Sequence, residues 1–290
     1  LKNIPVYILI GIANYFADPK PICASDNGFD LMNPIILYDN RFLDVPAIAA
    51  TDTDQTGDYD VRNIRDTRPY LLHRFASLGT KYYTVNCGST KAADCLGIFS
   101  HNLGSVAAAV SVESSTDNFG AVTTQRLAPV SPTHNRARLA PFNTASNPDW
   151  RVKIVTAGAA AQAGCVVLGS RLEFPRPPIQ PFVPYEEDVK SLAPDGDFGA
   201  QIEAAIKYHP IKISARFQNL DRAWIENTFR PFWDSWMKKE KWFFFAWNLD
   251  DYPQHVFYVR RGRGYKFKMP LSKGYLVKEF TIELEGYSEF

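Results

Sequence analysis

Asp94-Cys95-Leu96-Gly97-Ile98-Phe99-Ser100-His101-Asn102-Leu103-Gly104 begins as a short aliphatic strand and ends in a turn. Asp94 to Phe99 has the length of a strand, and the His-Asn-Leu-Gly run closes it, with Asn102 and Gly104 suited to left-handed backbone positions. Ser100, His101 and Asn102 put a nucleophile, a base and an amide side by side. Adjacent side chains seldom face one another, and no Gly-x-Ser-x-Gly elbow encloses them, so His101 and Asn102 are read as a structural turn. Upstream, Tyr82 to Val85 is a β-branched and aromatic run. Downstream, Ala109 to Ser114 places Val110 and Val112 on one face, and Trp150 to Thr156 alternates Trp150, Val152 and Ile154 with Arg151, Lys153 and Val155. Between about Asn14 and Phe174 nothing sustains a helical period. Many short strands between Asn-, Asp-, Gly- and Ser-bearing turns predict a β-sandwich or jelly roll.

Beyond it the pattern changes. Pro175, Pro177, Pro178, Pro181 and Pro184 favour extended geometry and predict a semi-rigid spacer. The resulting division is a sandwich over 1–174, a Pro-rich linker over 175–199 and an assembly domain over 200–290. In the last part Lys207 to Phe217 alternates as a strand. Asn219 or Asp221 then caps a helix carrying Trp224, Ile225, Phe229, Phe232, Trp233 and Trp236 at spacings of three and four. Pro231 lies inside that run and is expected to kink or divide it. Trp242 to Trp247, His255 to Arg260 and Tyr275 to Gly286 read as strands. The fold class is therefore mainly β: a sandwich followed by a small antiparallel sheet with one helix laid across it.

Composition bounds the function. Thirty-two basic against 31 acidic residues leave +1, so no chain-wide field attracts nucleic acid or an anionic membrane. Aromatic residues reach 14%, and 20 of the 40 rings follow residue 215, which concentrates the apolar surplus in the last third. The run Ile4 to Ala13, interrupted by Pro5, falls short of the roughly 20 residues that span a bilayer. It reads as a first strand rather than a secretion signal, since the basic cluster and cleavage pattern are missing. Cys23, Cys87, Cys95 and Cys165 lack metal-binding or redox spacing, which fits buried thiols and synthesis in a reducing cytoplasm, although four cysteines leave pairing in space open.

Three features carry candidate chemistry. The acidic loop Asp44 to Asp60 sets Asp52, Asp54 and Gly57 at positions one, three and six of an EF-hand-like loop, with Asp58 next; Thr56 at position five and Asn63 at position twelve remove the bidentate carboxylate. A solvated turn is the plainer reading, and a weak calcium site on Asp52, Asp54 and Asp58 is the alternative; no other cofactor is implied. Arg260, Arg261, Arg263 and Lys266, with Lys268 and interleaved Tyr258, Tyr265 and Phe267, form a segment free of acids from Tyr252 to Lys278. It suits an inter-subunit contact, a solvated loop or a phosphate backbone, the last disfavoured by the near-neutral charge. Trp233, Trp236 and Trp242 belong to an aromatic cluster suited to a core, to a subunit interface or to stacking on sugar faces. No phosphate loop, zinc-protease motif or convincing carboxylate pair occurs, and nothing marks the chain as an enzyme.

Val61-Arg62-Asn63-Ile64-Arg65-Asp66-Thr67-Arg68-Pro69, Arg74, the strands Tyr82 to Gly88 and Asp94 to Phe99, and the turn His101-Asn102-Leu103-Gly104 resemble the galactose-binding-like (discoidin-type) jelly roll of tailed-bacteriophage structural proteins. The likeness covers about residues 20–175 and includes the loop Ser111 to Asn118. Phe217 to Leu220, the Trp/Phe helix, Phe243 to Trp247 and Tyr252-Pro253 are similar to tail and baseplate proteins of distal-tail or tail-tip type. What the resemblance implies is a virion component near the tail, a homo-oligomeric ring docking other tail proteins, with the jelly roll outward and a host-surface glycan among its partners. A carbohydrate-binding module used for surface attachment is the alternative, and a secreted glycosidase or lyase has the least support.

Overall fold

The computed structural model describes residues 33–45, 47–68, 70–187, 190–192, 205–208, 210–268, 276–277 and 279–287. The expected strand at Ile4 to Ala13, and Cys23, lie outside them. Among the described residues two antiparallel sheets of seven strands dominate, so the fold is mainly β, with a helical segment packed on one sheet and a few short 3-10 turns.

The first sheet is organised by two long strands, Gly79–His101 and Arg138–Thr156, paired along nearly their whole length. Tyr82 to Gly88 and Asp94 to Phe99, expected as separate strands, are thus two halves of one. Register breaks between Asn86 and Lys91 and between Ala93 and Cys95 bend the pair, and the halves close on each other. Ala109–Ser115 and Thr124–Val130 extend the front half, and Gln162–Gly169 extends the back half. Alternation then does what a sandwich requires: Tyr83, Val85, Val110, Val112, Trp150, Val152 and Ile154 from the front meet Leu96, Ile98, Val166 and Leu168 from the back in one core.

The second sheet is a platform. Its strands in spatial order are Glu186–Glu187, Pro210–Phe217, Phe280–Tyr287, Val256–Arg261, Phe243–Ala246, Ile35–Leu37 and Arg171–Glu173. Ile35–Leu37 and Arg171–Glu173 come from the segment assigned to the sandwich. They pair with each other, Ile36 opposite Leu172, so the sandwich is an excursion between two neighbouring strands of the platform. At the return, a Cβ on Gly169 would lie 1.8 Å from the Asp39 carbonyl oxygen, which is why that position is glycine.

The platform is buried on both faces along Phe243–Ala246. Phe243, Phe245, Phe257 and Val259 point to the helix, while Phe244, Ala246, Val256 and Tyr258 meet Cys95, Phe99, Leu139, Cys165 and Val167 on the outer side of the sandwich's back half. An all-apolar strand is what such double burial demands. Gly97 permits the close approach, since a Cβ there would meet the Phe244 ring at 2.8 Å and Leu37 at 3.0 Å.

The helical segment spans 222–235. Asp221 caps it, its carboxylate accepting from the Ala223 N–H at 2.7 Å. Pro231 does not end it: the segment runs on as Arg222–Trp224, a π stretch and Arg230–Ser235. Ile225–Phe229 widens into a π turn, with the Arg230 N–H donating to the Ile225 carbonyl, and this accommodates the proline ring and its missing donor. The Pro-rich segment, expected as a spacer, is docked where it is described: the Ile179 N–H donates to the Arg216 carbonyl at 2.7 Å, Phe182 packs on Trp247, and Tyr185 on Phe257. Its interleaved aromatic residues find the platform core, which outweighs the stiffness of the prolines.

Candidate functional site

With its back half held against the platform, the sandwich presents its front half to solvent. There the outward residues of three strands come into register: Thr84 and Glu113 lie on either side of Arg151, and Tyr82 lies opposite Lys153. Arg151 Nε donates to Glu113 Oε2 at 2.6 Å, and Lys153 Nζ lies 3.4 Å from Oε1 of the same carboxylate. The guanidinium carbon sits 4.3 Å from the centroid of the Tyr82 ring and 4.2 Å from that of Phe119. Two aromatic contacts and an ion pair fix this arginine.

Phe119 reaches it from the loop after Ala109–Ser115, and the loop is tightly tied. Ser115 Oγ donates to Asp117 Oδ1 and accepts from the N–H groups of Asp117 and Phe119; Asp117 Oδ2 accepts from Ala121 and Val122; the buried Asp149 accepts from the Asn118 N–H at 2.8 Å. The hydrogen bonds of Asp117 hold its carboxyl below the usual range, the one from Ser115 contributing most. These bonds hold Asn118 and Phe119 at φ of 56° and 61°, left-handed values that a bulky aromatic adopts only under constraint. Outward alternation in Trp150 to Thr156 already exposed Arg151 and Lys153. Tyr82 and Phe119 escaped the sequence reading because they come from other elements.

The residues expected at a subunit interface lie elsewhere. Arg260 and Arg263 both face Glu285, at 2.7 and 3.8 Å, and Arg261 pairs with Glu240 at 2.6 Å. The segment is acid-free in sequence but meets carboxylates from the last strand and from the helix end. Lys266 is exposed beside Gly264. Trp233 is 9% exposed in the helix–sheet core; Trp236 donates from Nε1 to the Trp242 carbonyl at 2.7 Å; the Trp242 ring stacks on Tyr258. The rings therefore do not form an exposed surplus, and an intramolecular core accounts for them. Arg260, Arg263 and Trp242 line one open groove of about 750 Å³ over the platform strands, together with Lys212, Glu283 and Glu285.

The carboxylates of the acidic loop are engaged by neighbouring groups. Asp52 accepts from Lys81 Nζ at 2.5 Å and from Ser77 and the Ala76 N–H; burial pushes its carboxyl up, and these bonds outweigh that and hold it low. Asp54 pairs with Arg74, and Arg62 draws Asp60 down to about 2. Side-chain cations thus pair with Asp52 and Asp54, while Asp58 is exposed and its carbonyl accepts from Asn63. Among the described residues no group of three or more His, Cys, Asp or Glu side chains is placed to hold a metal. In the turn, His101 Nδ1 accepts from the Leu103 N–H, and Asn102 bridges to the Ala160 carbonyl and the Gln162 N–H. The left-handed residues there are Ser100 and Ala107, not Asn102 or Gly104. Gly104 is needed for space, since its Cβ would lie 2.5 Å from the His134 backbone.

No protein-family model matches the chain, and no curated protein does. Among solved structures the chain is similar to chitosan-binding module 1 of a chitosanase/glucanase from Paenibacillus sp. IK-5, with 11% identity, 45% of this chain and 98% of that one covered, and a TM-score of 0.39. It is similar to the CBM32 of AlyQ in complex with 4,5-unsaturated mannuronic acid, with 18% identity, coverage of 46% and 96%, and a TM-score of 0.35. CpGH89CBM32-6 produced by Clostridium perfringens gives 14%, 45% and 98%, and 0.36. These neighbours are carbohydrate-binding modules, and the tail-ring part of the sequence resemblance has no counterpart among them. No helix among the described residues is long and apolar enough to cross a membrane.

Proposed function

We propose that this chain is a non-catalytic attachment protein whose sandwich binds saccharide on its front face, through Tyr82, Phe119, Arg151 and Lys153 over Glu113. The observation that carries the reading is Phe119, held in a left-handed backbone conformation by three side chains so that its ring meets Arg151. Conformational strain of this kind persists where surrounding structure over-determines it, and such residues cluster at ligand sites. Rings beside fixed hydrogen-bonding groups suit a pyranose, which offers one flat apolar face and a rim of oxygens. Among the modules to which the chain is similar, one is described as chitosan-binding, one as pectin-binding, and one is in complex with 4,5-unsaturated mannuronic acid; the site offered here rests on this chain's own residues.

A glycan array followed by titration calorimetry tests the reading. Binding of at least one saccharide, abolished by Arg151→Ala with the fold intact, is the expected result; a chain that retains no glycan, or whose binding is indifferent to Arg151, Tyr82 and Phe119, ends it. Trp233, Trp236 and Trp242 pack within one chain, so the glycan reading does not call on them.

A further inference from the structure

The charges of the front face are layered by depth. The Glu113 side chain is 8% exposed, and the whole Asp149 residue 3%, whereas Arg151 and Lys153 side chains are 20% and 32% exposed. A ligand arriving from solvent meets the cations first; the carboxylates lie beneath them, Glu113 bonded to both cations and Asp149 to the loop backbone. Arg151 has its Nε engaged by Glu113 and ring contacts from Tyr82 and Phe119, and among the described residues its two terminal nitrogens make no hydrogen bond. What remains is a planar edge of donors, the geometry that takes a carboxylate in a two-point clamp, with Lys153 as a neighbouring point charge.

From this layering we infer that the front face recognises a carboxylated pyranose, the Arg151 edge gripping the carboxylate and the sugar ring resting beside Tyr82 and Phe119. The inference rests on the glycan reading and narrows it. A neutral sugar would leave the guanidinium edge without the partner it is shaped for, and a bare inorganic anion would make no use of the rings.

The test uses the full chain with four ligands: polygalacturonate, the same polymer methyl-esterified, sialyllactose and a neutral galactan. Binding to polygalacturonate or sialyllactose is expected, the two separating a uronate from a sialic-acid source. Affinity should fall about tenfold or more on esterification or in Arg151→Lys, and weaken with added salt. Lys153→Gln, at a more exposed position, serves as the second variant if the Arg151 substitution unfolds the loop, and should lower affinity for the acid form alone. Equal affinity for free acid and methyl ester, or galactan bound as tightly as either acid, overturns the carboxylate inference and leaves the glycan reading standing. Failure to bind any saccharide on a broad array ends both.

Discussion

The two halves of the sandwich are one folded pair of strands with opposite fates. The back half turns Cys95, Phe99, Leu139, Cys165 and Val167 outward and has the platform to receive them; the front half turns Tyr82, Arg151, Lys153 and Glu113 outward and meets solvent. Alternation makes each strand two-faced, and the side chains of the outer register decide which half is held against the platform and which is left open. Both halves share the inner core, and the covered half adds a second buried face against the platform.

Replacing Phe244 by Ala, at the contact between platform and back half, should have the largest effect, a loss of about 3–5 kcal/mol by denaturant unfolding. If the loss is under about 1 kcal/mol, the back half is not a true core and the contrast fails. Acid comes next. Burial lowers His73 and His101 to about 4, so both are neutral in the folded chain. Stability is full above pH 6.5, declines as pH falls through 6.5 toward 4 because the unfolded chain takes up the protons first, and levels off below 4. Each histidine should remove about 1.4 kcal/mol per pH unit in that window, about 2 kcal/mol by pH 5. His73→Gln should flatten part of the slope seen in melts across pH; an unchanged slope would discharge that histidine. Phe119→Gly sharpens the comparison from the other side. It relieves the left-handed strain while removing the ring, so stability should change by no more than about 1 kcal/mol while saccharide binding falls. A large loss of stability would make Phe119 a packing residue. The smallest effect is expected from calcium: with Asp52, Asp54 and Asp60 already paired to cations, millimolar calcium should move the melt by less than about 0.5 kcal/mol, and a clear rise would reopen the acidic loop.

What the sequence made legible was local. Period-two alternation marked Trp150 to Thr156 and Ala109 to Ser114, and the aromatic spacing with Asp221 marked the helix. Where partners lie far apart along the chain, the pattern was silent. Ile35–Leu37 carries too few residues to announce that it pairs with Phe244 to Ala246, some two hundred positions away. The aromatic surplus of the last third is plain in the sequence, but one strand buried on two faces absorbs more rings than a single-layer sheet would, and that needs the inserted sandwich to be visible. The front-face site was half legible: Arg151 and Lys153 were outward by alternation, while Phe119 arrives only through a loop whose hydrogen bonds join Ser115, Asp117 and Asp149.

Because the sandwich leaves the platform after Leu37 and comes back at Arg171, on strands that lie side by side, it is moored by two adjacent lines instead of hanging from one. A pull applied at the front face would be shared between both and delivered straight into the seven-stranded sheet, with the apolar seam resisting any rocking. Such a mounting keeps the front face at a fixed bearing to the sheet beneath it.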